Sequence, residues 1–340
     1  MHVQELANHY SLLQAALPPN GPGFSAAVLR DDETVFELHH GMASMELKVP
    51  LSSDSAYYLA SESKQFTAAC VITLVREGVI GLDDDVGRYL PELTRFEQPF
   101  PLRSLLNHSS GIPDYFQFLE SQLARHEADY FNNELILNLI ARLDTVAFPT
   151  STGYGYSNSN YILLAALVQR LTGMSLGRYA SQVLFTPLEI AGLAFDEDRF
   201  SIIAHRVCSY DVDATRPFGY RQHLGNANTV GDGGVYGSIN ALLRWERDWH
   251  RQWAMPSSLL HAMLQPSPLR DGAVPTYRFG LEWIRHADHD VVFHSGGLWG
   301  FDTLIVRIPA LRMSVIHLAN CETAQSSLQQ ILNAVLGCTH

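Results

Sequence analysis

The chain has 340 residues, 46% of them hydrophobic, enough to bury one large core or two intimate lobes. Its formal net charge of -12, with a sequence pI of about 5.6, argues against a protein held on nucleic acid or anionic lipid by a broad basic surface. No apolar run reaches the length of a membrane span, and the first ten residues lack a basic start followed by an apolar block, so the expected location is cytoplasmic.

Residues 3–17 carry a helical apolar pattern that Gly21-Pro22-Gly23 breaks. Apolar runs at 24–29 and 34–38 follow, with Asp31-Asp32 between them as a hairpin turn. Helical patterns then occupy 66–77, 134–143, 160–171, 176–184 and 239–253. Short apolar or β-branched runs at 277–284, 291–294, 302–308 and 313–318 predict strands, and 323–336 is again helical. There is no internal repeat and no flexible linker. The pattern predicts an α/β (α+β) fold in which an antiparallel sheet is flanked by N- and C-terminal helices and carries an inserted helical lobe. A single domain over 1–340 is expected, with a sheet lobe at about 1–85 and 225–340, a helical lobe at about 86–224 and the active site between them.

Only two of the 23 basic residues are lysines, Lys48 and Lys64, and Lys64 follows Ser61 by three positions in Ser61-Glu62-Ser63-Lys64. Ser61 falls at the start of the helix predicted from 66, where free backbone N–H groups favour negative charge on its oxygen. Residues three apart share a helix face, so a neutral Lys64 could take the serine proton. As an isolated pair, a capping serine and a solvated lysine explain the same spacing. Two further segments carry chemistry. Gly153-Tyr154-Gly155-Tyr156-Ser157-Asn158 is a turn-rich loop running into a helix, and it offers a phenol and an amide. In Phe293-His294-Ser295-Gly296-Gly297 an apolar strand ends in a polar residue and then small residues, which allow a ligand close to the strand edge.

Together, and in this order, the three segments resemble the motifs of the penicillin-recognising serine hydrolases: class C β-lactamases, D-Ala-D-Ala carboxypeptidases, and related esterases and D-aminopeptidases. Supporting resemblances lie at 105–113, 231–238 and 277–283, and the likeness spans roughly residues 22–320. It implies Ser61 as nucleophile of an acyl-enzyme, with Lys64 and Tyr156 as its proton network. It also implies Asn158, His294, Ser295 and Gly296 as substrate-binding residues, and the backbone N–H groups of Ser61 and Gly297 as an oxyanion hole. Whether Lys64 or Tyr156 is the operative base stays open. The departure is His294, which stands where many β-lactamases have a lysine directed at the substrate carboxylate. Weak or no β-lactam turnover is therefore expected. Arg278 or Arg285 could supply a carboxylate contact instead.

The substrate expected is a small ester, amide or peptide, those containing D-residues included. The alternatives are an acyltransferase or thioesterase-like biosynthetic enzyme on the same fold, and a catalytically silent ligand-binding or scaffolding protein. Neither a cofactor nor a nucleic-acid or membrane partner is expected, and the oligomeric state is open. No metal is expected: His39-His40 and His286 to Asp290 lack the helical placement of a hydrolytic zinc pair, and Asp83-Asp84-Asp85 reads as a cap rather than a calcium loop. The cysteines Cys70, Cys208, Cys321 and Cys338 are far apart and read as incidental or buried thiols. Trp245, Trp249 and Trp253 recur at helical spacing and read as packing residues.

Overall fold

The two ends of the chain supply the strands of one antiparallel sheet. The computed structural model describes residues 2–122 and 130–337. Helix α1 (His2–Ala16) leads into β1 (Phe24–Arg30) and β2 (Glu33–His40); β3 (Glu282–His286), β4 (His289–Leu298), β5 (Phe301–Ile308) and β6 (Met313–Ala319) come from the other end. The spatial order is β3-β4-β5-β6-β1-β2, so the first strand pairs with the last, Phe24 opposite Ala319 and Arg30 opposite Met313. Asp31 and Asp32 both take left-handed φ, 51° and 68°, as the predicted two-residue turn requires.

Alternation along β1 assigns the two faces. Phe24, Ala26 and Val28 face a core closed by Leu6 and Tyr10 of α1 and by Ile331 and Val335 of α6 (Leu328–Leu336), while Ala27 and Leu29 face a larger core. That larger core includes α2 (Lys64–Arg76), α3 (Asn133–Ile140), α4 (Asn158–Thr172) and α5 (Ile239–Trp253), which cover the second face of the sheet and extend beyond it. The antiparallel sheet and flanking terminal helices are thus as predicted. Trp245 and Trp249 on α5 are buried, and Trp253 stacks on Trp249 with ring centroids 5.5 Å apart. Asp85 caps the short turn Val86–Arg88.

Several boundaries differ from the sequence reading. Helix α6 starts at Leu328 rather than 323, because Ser327 and Gln330 form a reciprocal capping box and Gln325 is extended. The strand expected at 277–284 begins only at Glu282; ahead of it Gly280, at φ 80°, turns the chain where a Cβ would sit 2.7 Å from the Lys64 carbonyl oxygen. In the other direction, β4 continues past His294 to Leu298, and the hairpin turn falls at Trp299 and Gly300, with φ 53° and 77°. The helix expected at 176–184 splits into Leu176–Ala180 and a wider π-type turn at Ser181–Phe185. Cys70 and Cys321 are buried free thiols and Cys208 is partly buried; Cys338 lies outside the described residues. Among the described residues no helix is long and apolar enough to cross a membrane.

Under the sheet lies a fully buried ion pair. Arg307 of β5 donates from Nε and Nη2 to Glu246 of α5 at 2.8 and 2.6 Å, and Nη2 also reaches Gln65 Oε1 at 2.8 Å. Its guanidinium carbon sits 4.6 Å from the Trp249 ring centroid. Removing one partner leaves an uncompensated buried charge, so Arg307→Met is expected to lower unfolding stability by about 3–5 kcal/mol, and the double change Arg307→Met/Glu246→Leu to recover most of it. Urea unfolding of both variants checks this; a cost below about 1 kcal/mol for the single change would show that the pair is dispensable.

Candidate active site

Ser61 sits in the single turn Ala60–Ser63 that opens α2, and the turn is fastened on three sides. Thr303 Oγ1 of β5 donates to the Leu59 carbonyl at 2.9 Å. The Ile305 amide donates to Glu62 Oε1 at 2.7 Å, and the Val235 amide to Ser63 Oγ at 3.0 Å. Burial raises the Glu62 carboxyl to about 8 against the pull of Arg307, so near neutral pH it is largely a protonated acid rather than a naked charge beside Ser61. These fastenings hold Ala60 at φ 48°, a left-handed backbone that costs an L-residue roughly 1–2 kcal/mol. Beside the turn runs β4. A Cβ on Gly296 would lie 2.3 Å from the Leu59 oxygen and 3.0 Å from the Ser61 nitrogen, so only glycine lets the strand come this close.

Lys64 is fully buried one turn after Ser61. Its Nζ lies 2.9 Å from Ser61 Oγ, 2.8 Å from Asn158 Oδ1 and 2.7 Å from the Asp232 carbonyl oxygen. Burial pushes its pKa down to about 8, while the negative charges of Asp232 and Asp114 pull the other way. A protonated Lys64 donates to all three oxygens. A neutral one keeps two donors for Asn158 and Asp232 and turns its lone pair to the Ser61 hydroxyl. Both states therefore satisfy the same three partners, and only the direction of the Ser61 hydrogen bond changes.

Asn158 opens α4, and its orientation is fixed from behind. Its backbone N–H and its Nδ2 both donate to Asp114 Oδ2 at 2.8 Å, which leaves Oδ1 for Lys64 and settles which way the amide points. Asp232, which supplies the third Lys64 contact, accepts from Tyr115 Oη at 2.7 Å, and burial raises its pKa. The Tyr156 ring centroid lies 5.0 Å from Lys64 Nζ. Tyr156 keeps 38% of its surface exposed, yet the dense surroundings of its hydroxyl push its pKa well above 10, with hydrogen bonding to Ser61 opposing. It is a neutral phenol at ordinary pH. Behind it His108, left-handed at φ 59°, lies tilted against the ring with centroids 4.4 Å apart and accepts from the Ser157 amide at 3.2 Å.

His294 differs from the expectation of a direct substrate contact. It is buried, its Nδ1 lies 2.6 Å from the Ser295 carbonyl and its Nε2 3.0 Å from Tyr277 Oη. A carbonyl only accepts, so Nδ1 carries the proton and Nε2 accepts from Tyr277. Burial, reinforced by the positive charge of Lys64, drives its pKa down to about 3, which keeps it neutral. Ser295 is a correction. Because β4 continues through it, strand alternation turns its side chain away from His294 and Gly296, into a groove it shares with Phe293 and with residues 325–328 ahead of and at the start of α6. Only its backbone remains on the Ser61 side. Arg278 donates to the Pro275 carbonyl and Arg285 pairs with Asp290 at 3.3 Å; among the described contacts neither reaches the Ser61 cluster.

The structure thus brings Ser61, Lys64, Tyr156 and Asn158 together, with Gly296 and Gly297 on the strand beside them. Sequence reasoning gave no role to Asp114, Asp232, His108 and Tyr277, although all four fall inside or just beside the stretches that looked family-like.

Comparison with known proteins places the chain in a family. The family model described as Beta-lactamase matches residues 16–336. The chain is 30% identical over 331 residues to a D-aminopeptidase of Gluconobacter oxydans, covering 96% of this chain but only 61% of that protein. It is 29% identical over 326 residues to penicillin-binding protein 4* of Bacillus subtilis, covering 92% of this chain and 71% of the relative. Among solved structures, an octameric penicillin-binding protein homologue from Pyrococcus abyssi shares the fold with a TM-score of 0.82 at 22% identity, over 99% of this chain and 78% of that one. The D-amino acid amidase of Ochrobactrum anthropi does so at 0.78 and 20%, over 96% of both chains. With the match running over nearly its whole length, the chain belongs to the beta-lactamase family.

Proposed function

We propose that the protein is a serine hydrolase that cleaves small amides, peptides or esters through an acyl-enzyme on Ser61, with D-residue amides and peptides as the first substrate class. The observation that carries this is the contact of a buried, pKa-lowered Lys64 with Ser61 Oγ at 2.9 Å. The relatives named D-aminopeptidase and D-amino acid amidase support the substrate class.

In the acylation step neutral Lys64 takes the Ser61 proton as Oγ bonds to the substrate carbonyl carbon. The carbonyl electron pair moves onto oxygen, where the N–H groups of Ser61 and Gly297 receive it. As the tetrahedral species collapses, the bond to the leaving nitrogen or oxygen breaks. Tyr156, a neutral phenol, gives its proton to that group and is reprotonated from Lys64. Water then attacks the ester and the same residues act in reverse. Asn158, its amide locked by Asp114, holds the Lys64 ammonium between the two states. Gly296 acts by having no side chain, and His294 by supporting the strand through Tyr277.

The low Lys64 pKa sets the pH dependence with a definite sign. Below about 8 the residue is mostly ammonium and cannot accept the serine proton, so the acylation rate constant should rise about tenfold per pH unit and level off above that value. Stopped-flow acylation by an activated ester from pH 6 to 10 measures it; a flat profile would remove Lys64 as the base.

Lys64→Arg keeps the positive charge and removes easy deprotonation. It should slow acylation of Ser61 by about 10²–10⁴-fold while the fold persists. Intact mass spectrometry after fluorophosphonate treatment, with Ser61→Ala as the blank, reads this directly. Near-normal labelling of the arginine variant contradicts the assignment, and no adduct on the wild type would leave a silent binding protein.

Nitrocefin hydrolysis should be slow or undetectable, because the buried and neutral His294 provides no fixed cation for the carboxylate of a β-lactam. Rapid turnover that disappears in Ser61→Ala would show that another group, such as Arg278, performs that task.

A further inference from the structure

Tyr156 lies in an irregular stretch, residues 153–157, just ahead of α4, so contacts from outside that stretch have to hold it. The residues on either side of it are both bound by one residue, His108. The Gly155 amide donates to the His108 carbonyl at 3.0 Å, and the Ser157 amide donates to His108 Nδ1 at 3.2 Å. Between these two bonds the Tyr156 ring lies against the imidazole, centroids 4.4 Å apart. The segment that carries His108 is tied to the same loop further along. There the Ser151 amide donates to the Ser109 carbonyl at 2.8 Å and the Ala147 amide to the Gly111 carbonyl at 2.7 Å.

The imidazole is itself fixed. A backbone amide only donates, so Nδ1 keeps a lone pair and the ring proton sits on Nε2. Asn160 Nδ2 also donates to Nδ1, at 3.2 Å, and Asn160 Oδ1 accepts from Ser110 Oγ at 2.6 Å. Burial, with the positive charge of Lys64, holds the imidazole well below its ordinary pKa of 6.5, so the ring stays neutral and Nδ1 stays an acceptor. Nε2 is buried without a hydrogen-bond partner among the described residues, and the backbone stands left-handed at φ 59°. Both features cost stability, and filling space requires neither. They accompany the use of this one residue to accept the amides beside Tyr156.

From this arrangement we infer that His108 is a positioning residue for the leaving-group step: by accepting from the amides on both sides of Tyr156 and backing its ring, it holds the phenol where its proton can be given up. The inference rests on the serine hydrolase reading and adds to it a residue that acts only through Tyr156. A proton donor on an irregular loop loses effectiveness with small displacements, so the loss of His108 falls on the step that needs the proton and spares the rest.

The test compares two leaving groups on one acyl portion, D-alanine p-nitrophenyl ester and D-alanine p-nitroanilide, scored as the ratio of kcat/KM for the ester to that for the anilide. The nitrophenolate departs without a proton and the anilide nitrogen needs one, so the ratio reads proton delivery and cancels losses common to both. Tyr156→Phe should raise it. His108→Gln, which moves the side-chain acceptor away from the Nδ1 position, should raise it about tenfold or more. His108→Asn puts Oδ1 where Nδ1 stood and tolerates the left-handed backbone, so it should keep the ratio near that of the wild type. Glutamine is nearer to histidine in size, so a space-filling role predicts the opposite order. His108→Gly, at ease with φ 59° but without acceptor or ring, should also raise the ratio, which separates the ring from the backbone. A ratio that His108→Gln and His108→Gly leave unchanged while Tyr156→Phe raises it, or His108→Asn no better than His108→Gln, overturns the inference. If neither substrate is turned over, or Tyr156→Phe changes nothing, the hydrolase reading or its Tyr156 step fails separately. Crystal structures then judge the positioning alone: a Tyr156 ring displaced in His108→Gln and in place in His108→Asn sustains it, and a ring unmoved in both ends it. Should the variants not fold, nitrogen NMR of the wild-type histidines decides: an unprotonated Nδ1 coupled to the Ser157 amide sustains the inference, and a proton on Nδ1 overturns it.

Discussion

One buried amine organises this molecule. A lysine without solvent must either lose its proton or be surrounded by oxygens, and Lys64 is placed where both happen at once. Desolvation brings the two protonation states close in free energy, and the carboxylates of Asp114 and Asp232 stop the shift from going further. The distribution of labour among its neighbours follows from that balance. Asp114 reaches Lys64 through Asn158, Asp232 reaches it through its own carbonyl, and Tyr115 and Asn158 occupy carboxylate oxygens that would otherwise face the amine unpaired.

The same constraint explains why the turn bearing Ser61 is fastened so heavily. An amine joined to a hydroxyl by a single hydrogen bond keeps that contact only if the turn is held in place, and the left-handed Ala60 would relax if it were free to do so. Thr303, Ile305 and Val235 each hold one residue of the segment Leu59 to Ser63, and all three belong to strands. The sheet is therefore more than a backing for helices, since two adjacent strands contribute to the site in different ways. Strand β4 comes close because Gly296 has no side chain, and β5 grips through Thr303 and the Ile305 amide.

Ordering, spacing and periodicity made the sheet, the terminal helices and α5 legible, because each rests on local alternation or a local 3.6-residue repeat. The Ser61–Lys64 contact was also within reach, since helix geometry alone puts a residue back beside another three positions earlier, whereas Asn158 came only from the motif resemblance. Where the reading failed, the determinant was remote. That Asp114 orients Asn158 depends on a loop 44 positions upstream in sequence folding against the start of α4. His294 looked like an open histidine because Tyr277, 17 residues away, does not announce that its hydroxyl will occupy Nε2. Ser295 was misplaced by assuming that glycines end a strand; here Gly296 and Gly297 remain paired with Thr303 and Asp302, and one residue of continued strand is enough to move a side chain to the opposite face.

The pairing of the first strand with the last has a consequence for the life of the chain during synthesis. Phe24 waits for Ala319, and the turn around Ser61 waits for Thr303 and Ile305, so the sheet cannot close and Ser61 cannot be fixed until almost all of the protein has been made. Chemical competence is thereby tied to completion. A polypeptide interrupted before β5 would carry Ser61 and Lys64 in sequence but would lack the strand that fastens the turn between them.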